Sequence, residues 1–275
     1  MARHHWFTGI MLVWLSVLGG SLAAQTAPTA FVKGLELINS NAAEAKTQLL
    51  IAQHEDPAFH GTYHFLGVLY LDENKLDSAV SCFQQAIALN PTNANKTKEM
   101  AYMRLVDVYL YQHDFERAFA TAWEAFQLFP DNLAIKQNLH DVCLWAFYVK
   151  HNGLNINYMS KDLIDEYVVH AISEEYLIIR RKMVDGAHIY VESQSTLQKN
   201  KAFYDVLTCT QANGKKYYVM FKLDWDFNKQ FGGNVPNTND VYANSSNSIA
   251  ERLGALLVDD ARVDLKKEYE KLSPK

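Results

Sequence analysis

The chain has 275 residues, 49% of them hydrophobic and 21% charged, which is the balance of a folded globular protein and excludes a disordered one. That length gives room for one or two domains with a sizeable core. A formal net charge of -5 argues against a nucleic-acid or anionic-membrane surface, since either needs a basic stripe.

Residues 1–24 have the pattern of an export signal. Arg3 lies in a short polar start, and Ile10 to Leu18 is apolar with only Ser16 interrupting. The small residues Ala23 and Ala24 offer a cleavage point just before Gln25. The apolar stretch is shorter than the roughly 20 residues of a spanning helix, so no transmembrane span is expected after cleavage. The three cysteines, Cys82, Cys143 and Cys209, cannot all pair with one another. Buried free thiols are the expectation, with one disulfide as the alternative in an oxidising compartment.

Residues 28–150 are read as a helical repeat. Pro57, Pro91 and Pro130 each close a helical pattern at spacings of 34 and 39. Ala45, Ala79 and Ala118 keep those spacings, as do Ala52, Ala86 and Ala125. Such a period marks helix pairs that bury their apolar faces on copies of themselves. The best copy runs Tyr63, Leu66, Gly67, Tyr70, Ala79, Phe83, Ala86, Pro91. In this order it resembles the tetratricopeptide repeat family. The next copy keeps Tyr102, Leu105, Tyr109, Ala118, Ala125 and Pro130, with Val106 for the glycine and Ala122 for the aromatic. Five extra residues precede it, within Thr92 to Lys98. The preceding copy matches in its second helix but poorly over Phe31 to Ile38. A seventh helix, about Leu133 to Val149, would close the stack with Leu139, Val142, Trp145 and Ala146.

The resemblance implies that the first helix of each pair lines a groove for an extended peptide or a partner helix. The matching positions are His64, Val68, Leu71 and Asp72, then Met100, Met103, Asp107, Leu110 and Tyr111. A groove of the kind that clamps a terminal carboxylate is disfavoured, because His64, Val68 and Met100 stand at three of its positions and only Arg104 carries a suitable charge. A methionine-rich groove adapts to varied hydrophobic partners. The alternative is a groove filled by the chain's own C-terminal region.

Residues 154–275 are read as a smaller α+β module, which makes the whole an α+β two-domain chain. No family resemblance is evident in this half. Ser160 is expected to cap a helix through Leu163, Ile164, Tyr167 and Val168. A second helix is expected over Glu174 to Met183, although Tyr176 to Ile179 also suits a strand. Three strands follow at His188 to Glu192, Phe203 to Thr210 and Lys216 to Asp226, the last two joined through Asn213-Gly214. They make an antiparallel meander, with Tyr217, Val219, Phe221, Leu223 and Trp225 on one face of the last strand. A polar stretch, Gln230 to Ser248, and a charged helix, Ile249 to Leu272, complete the expectation.

The residues of a catalytic or metal centre are hard to find. No HExxH, GxSxG, phosphate-binding glycine loop or CxxC occurs. His60 and His64 have metal-compatible spacing but lack a third ligand nearby. Asp224 with Asp226, and Cys209 with His188, are the remaining pairs of chemical interest. Arg180, Arg181, Lys182, Lys215 and Lys216 read as solvated surface. No cofactor is expected. The function expected is that of an exported, non-enzymatic adaptor or scaffold that binds a protein or peptide partner, with the oligomeric state left open. A second reading makes the C-terminal module a small hydrolase or carbohydrate-binding unit positioned by the repeats.

Overall fold

The computed structural model describes residues 26–149, 153–170 and 172–224. It confirms an α+β chain: helical repeats come first and a mixed sheet follows. Contacts divide it into two compact units between Ile135 and Lys136. Residues 1–24, where an export signal is expected, Trp225, Asp226 and the Gln230 to Leu272 segment lie outside the described residues.

The first unit is built of antiparallel helix pairs: α1 (Thr29–Leu37) with α2 (Ala42–Glu55), α3 (His60–Asp72) with α4 (Leu76–Ala88), and α5 (Thr97–Tyr111) with α6 (Phe115–Leu128). Helix α7 (Leu133–Phe147) follows, and its Ile135 packs on Tyr102 and Ala125. The second and third pairs turn in the same way. Asn74 and His113, at equivalent positions 39 apart in the sequence, both adopt left-handed φ, 58° and 59°. The Lys75 N–H then reaches the Tyr70 carbonyl, and the Asp114 N–H the Tyr109 carbonyl, both at 2.8 Å. These six-to-one bonds satisfy carbonyls that a helix end leaves open. Asn41 and Asp114 cap the second helices they precede, accepting from the Glu44 and Arg117 amides.

The helices cross where the repeat is smallest. A Cβ added at Gly67 would lie 2.7 Å from the Phe83 ring, and one at Gly34 would lie 3.0 Å from Leu49 Cγ. Leu49, Phe83 and Ala122 hold one position of the three pairs, at the same spacings of 34 and 39. Glycine therefore faces a large residue in the first two pairs. The third reverses this, with Val106 and Ala122 both buried. The Phe31 to Ile38 stretch, a poor match by sequence, is thus a proper first helix whose Gly34 plays the part of Gly67. The insertion contains a short 3₁₀ turn, Ala94–Lys96. Asn90 holds it through bonds to the Ala94 amide and carbonyl, at 2.7 and 3.0 Å. Asn93, Asn95 and Lys96 all take left-handed φ there, a region that asparagine tolerates better than most residues.

In the second unit a four-stranded sheet runs in the order β1-β6-β5-β4, with β1 (Tyr167–Val169), β4 (Tyr190–Lys199), β5 (Ala202–Thr210) and β6 (Lys216–Leu223). The β4-β5-β6 meander is antiparallel, as expected. Strand β1 joins it in parallel, Tyr167 opposite Phe221 and Val169 opposite Leu223. That corrects the helix expected through Tyr167 and Val168: Tyr167 and Val169 alternate inward with strand period, and Ser160 instead caps a tight turn through the Asp162 amide. Helix α8 (Ile172–Ile179) settles the choice between helix and strand left open at Tyr176 to Ile179, and it ends before the small ribbon of β2 (Met183–Val184) and β3 (Ala187–His188). Strand β4 is ten residues long, far beyond Glu192. The stretch Ser193 to Lys199, on the outermost of the four strands, is polar but for Leu197, so no apolar alternation betrayed it.

Candidate functional site: the first helices of the repeats

Helices α3 and α5 lie side by side in the first unit. On α5, Met100, Met103, Asp107, Leu110 and Tyr111 recur at helical spacing, as do Val68, Leu71 and Asp72 on α3. Their exposure divides them. Val68, Met100, Met103, Asp107 and Tyr111 are half-buried and Asp72 is exposed. His64, Leu71 and Leu110 are buried. Arg104 is turned toward Asp107, at 3.5 Å, on the same helix.

His64 brings no charge to this surface. Burial, with help from Arg104 and His60, pushes its pKa down to about 3. Its ring packs against Phe65 and Phe83, and Nδ1 has no hydrogen-bond partner. His60 is shifted the same way by burial. Among the described residues no three His, Cys, Asp or Glu side chains are grouped to hold a metal.

The residues of the repeat pattern occupy the crossings. Leu66, Ala79, Phe83, Ala86, Tyr109, Ala118 and Ala125 are buried, while Pro91 and Pro130 are exposed at helix ends. Tyr63 donates through its hydroxyl to the Pro57 carbonyl at 2.9 Å. Lys46 lies over the Tyr70 ring, 4.2 Å from its centre, and pairs with Glu73. That contact and Lys75 hold the Glu73 carboxyl below its usual range. Neighbouring pairs are tied by Gln112 to Asp77 and by Gln84 to the Tyr109 hydroxyl.

The tetratricopeptide repeat family's sequence model matches residues 61–93. This segment is a tetratricopeptide repeat. The helix pairs before and after it turn in the same way or cross on the same positions, and no family model matches the C-terminal half. Two curated relatives are the "E3 SUMO-protein ligase RanBP2" of Homo sapiens and of Pan troglodytes, each 26% identical over 196 residues. The alignment covers 63% of this chain and 5% of each relative. The human "RANBP2-like and GRIP domain-containing protein 8" shows the same identity, with 10% of its length covered. The chain thus spans a small fraction of these relatives, and the likeness extends no further than the aligned segment.

The pairs of chemical interest in the second unit do not assemble. Cys209 is buried opposite Val191 and Tyr217, whereas His188 belongs to the separate ribbon opposite Met183. Asp224 follows β6 at the end far from Cys209, about 23 Å away at the rise of a strand. The Asp224 carboxylate instead lies 3.8 Å from His170 Nε2, whose Nδ1 is 3.6 Å from Glu174. All three cysteines are buried and free, and burial pushes their thiols up, to about 11 for Cys82 and Cys209 and about 12 for Cys143. Alkylation of the folded chain should therefore modify none of them rapidly, and denaturant should expose all three; rapid labelling of the native protein would contradict this packing.

The sequence concealed two charged groups that matter to this unit. Lys182, just before β2, is buried with its amine on the turn that precedes β1, and Glu175 is buried beside Asp205. Asp205 had a visible signal: it interrupts the inward series Phe203, Leu207, Cys209 on β5. A carboxylate at an inward position of an alternating strand needs a partner.

Proposed function

We propose that the protein is an exported adaptor whose tetratricopeptide repeats present the α3–α5 surface to a segment of a partner protein. The repeat at residues 61–93, flanked by helix pairs of the same build, is the observation that carries this reading. Val68, Met100 and Met103 supply apolar contact, and Asp72, Asp107 and Tyr111 supply polar edges. Burial of apolar side chains in such a groove yields affinity, and the polar edges set register. Leu110 and His64 support this surface from beneath.

Val68→Glu with Met100→Glu should abolish capture of a partner by the full chain at unchanged thermal stability. Leu50→Glu, on an exposed position of α2, should leave capture intact. Equal capture by all three chains would move the binding surface away from α3 and α5. Export is proposed from Arg3, the apolar Ile10 to Leu18 run and Ala23-Ala24. The chain recovered outside the cytoplasm should begin at Gln25, and a chain that retains Met1 within the cytoplasm would refute it.

A further inference from the structure

Asp205, on β5, is 2% exposed and Glu175, on α8, is 0% exposed. Each oxygen of Asp205 already accepts one hydrogen bond, from Gln194 Nε2 and from Thr196 Oγ1, both at 2.6 Å. Gln194 is fixed in turn by the Tyr176 hydroxyl, which donates to its Oε1 at 2.9 Å. These two donors of β4 are thereby spent on Asp205. Neither oxygen of Glu175 receives a donor. Yet its carboxyl lies against that of Asp205. Two carboxylates only accept, so this contact requires a proton between them.

We propose that Glu175 and Asp205 form a one-proton carboxyl pair that fastens α8 to the sheet, and that loss of the proton releases the helix. Asp205 holds the negative charge because it has two further donors; Glu175, which has none, stays a neutral acid and donates. The charged groups acting on Glu175 are Asp205 from β5 and Glu174 from its own helix, both acidic; from β4 the neutral Gln194 and Thr196 reach Asp205. Of the basic residues that follow α8, Arg180 is engaged on Asp141 and Lys182 on backbone carbonyls. Desolvation first, then Asp205 and Glu174, raise the Glu175 pKa to about 10. The folded chain therefore binds one proton more than the unfolded chain between the ordinary glutamate range and that value. Stability carried by this proton is full in acid and is lost as pH rises. Complete burial also keeps the pair from any substrate, so it acts on the fold and not in catalysis.

Thermal unfolding of the full chain and of Glu175→Gln between pH 5 and pH 9 tests this. The amide keeps a donor for Asp205 and cannot titrate. The variant's melting temperature should gain on that of the natural chain by roughly 5 °C or more across the range. An infrared carbonyl band of a protonated carboxylic acid should be present at pH 7 in the natural chain and missing in the variant. Parallel melting curves, an identical infrared band in both chains, or an E175Q chain that fails to fold at pH 5 would each overturn the proposal.

Discussion

Gly67→Val should lower the unfolding midpoint of the repeat unit by roughly 5 °C, whereas the same valine added to Phe83→Ala should restore part of what Phe83→Ala alone removes. The space at Gly67 is filled by Phe83: three ring atoms lie within 3.0 Å of where a Cβ would stand. The ring is fully buried, so it cannot swing into solvent. Overpacking of this kind costs about 1–3 kcal/mol, and truncating Phe83 alone costs about 3–5 kcal/mol through the cavity it leaves. The third helix pair already contains the combined solution, Val106 with Ala122. Valine at 67 should therefore enter the cavity left at 83, and the double variant should be more stable than Phe83→Ala. A double-mutant cycle on denaturant unfolding measures the coupling. Simple addition of the two losses would show that the Val106 and Ala122 pair is not a volume exchange at this crossing.

That exchange shows how much a sequence discloses and where it stops. Pro57, Pro91 and Pro130 and the alanines between them are repeated because the same crossing recurs, and recurrence is readable without coordinates. The first helix of the first pair was obscured because Phe31 to Ile38 lacks the family's aromatic pattern, yet Gly34 meets Leu49 as Gly67 meets Phe83. The groove positions were found by register, but register does not give depth. Leu110 and Val68 belong to one pattern, and only the structure separates the buried one from the half-exposed one. In the second unit the hairpin of β5 and β6 was legible from alternation, whereas β1 was not. Three residues are too few to distinguish a period of 2 from one of 3.6, and its partner β6 lies about fifty residues away in the sequence. Arg180-Arg181-Lys182 read as solvated surface because charge is visible in sequence and backbone acceptors are not. Arg181 and Lys182 are in fact buried.

Lys182→Met is expected to destabilise the second unit by about 2–4 kcal/mol, although the stem volume is conserved. Lys182 is 1% exposed, and its Nζ donates to the Tyr158 carbonyl at 2.8 Å and to the Ser160 carbonyl at 2.6 Å. One acceptor lies within the 3₁₀ turn Ile156–Met159 and the other just after it, and methionine would take the lysine donor from both. The same amine lies 5.1 Å from the centre of the Tyr167 ring, and Tyr167 stacks on Phe221 across β1 and β6. The lysine thus joins the turn to the sheet. Burial, then the neighbouring Arg181, draw its pKa down to about 7. A neutral amine still has two N–H groups, one for each carbonyl, so deprotonation leaves both bonds in place. The unfolded chain holds the proton up to about pH 10 and the folded chain releases it near neutrality. In that window the unfolded state binds more protons, so stability due to Lys182 rises with pH. This is opposite in sign to Glu175, and it is separable because Lys182→Met leaves Glu175 unchanged. The difference in melting temperature between the natural chain and Lys182→Met should widen from pH 6.5 to pH 9.5. A gap that narrows over that range would mean that the ammonium, held over Tyr167, is the native form.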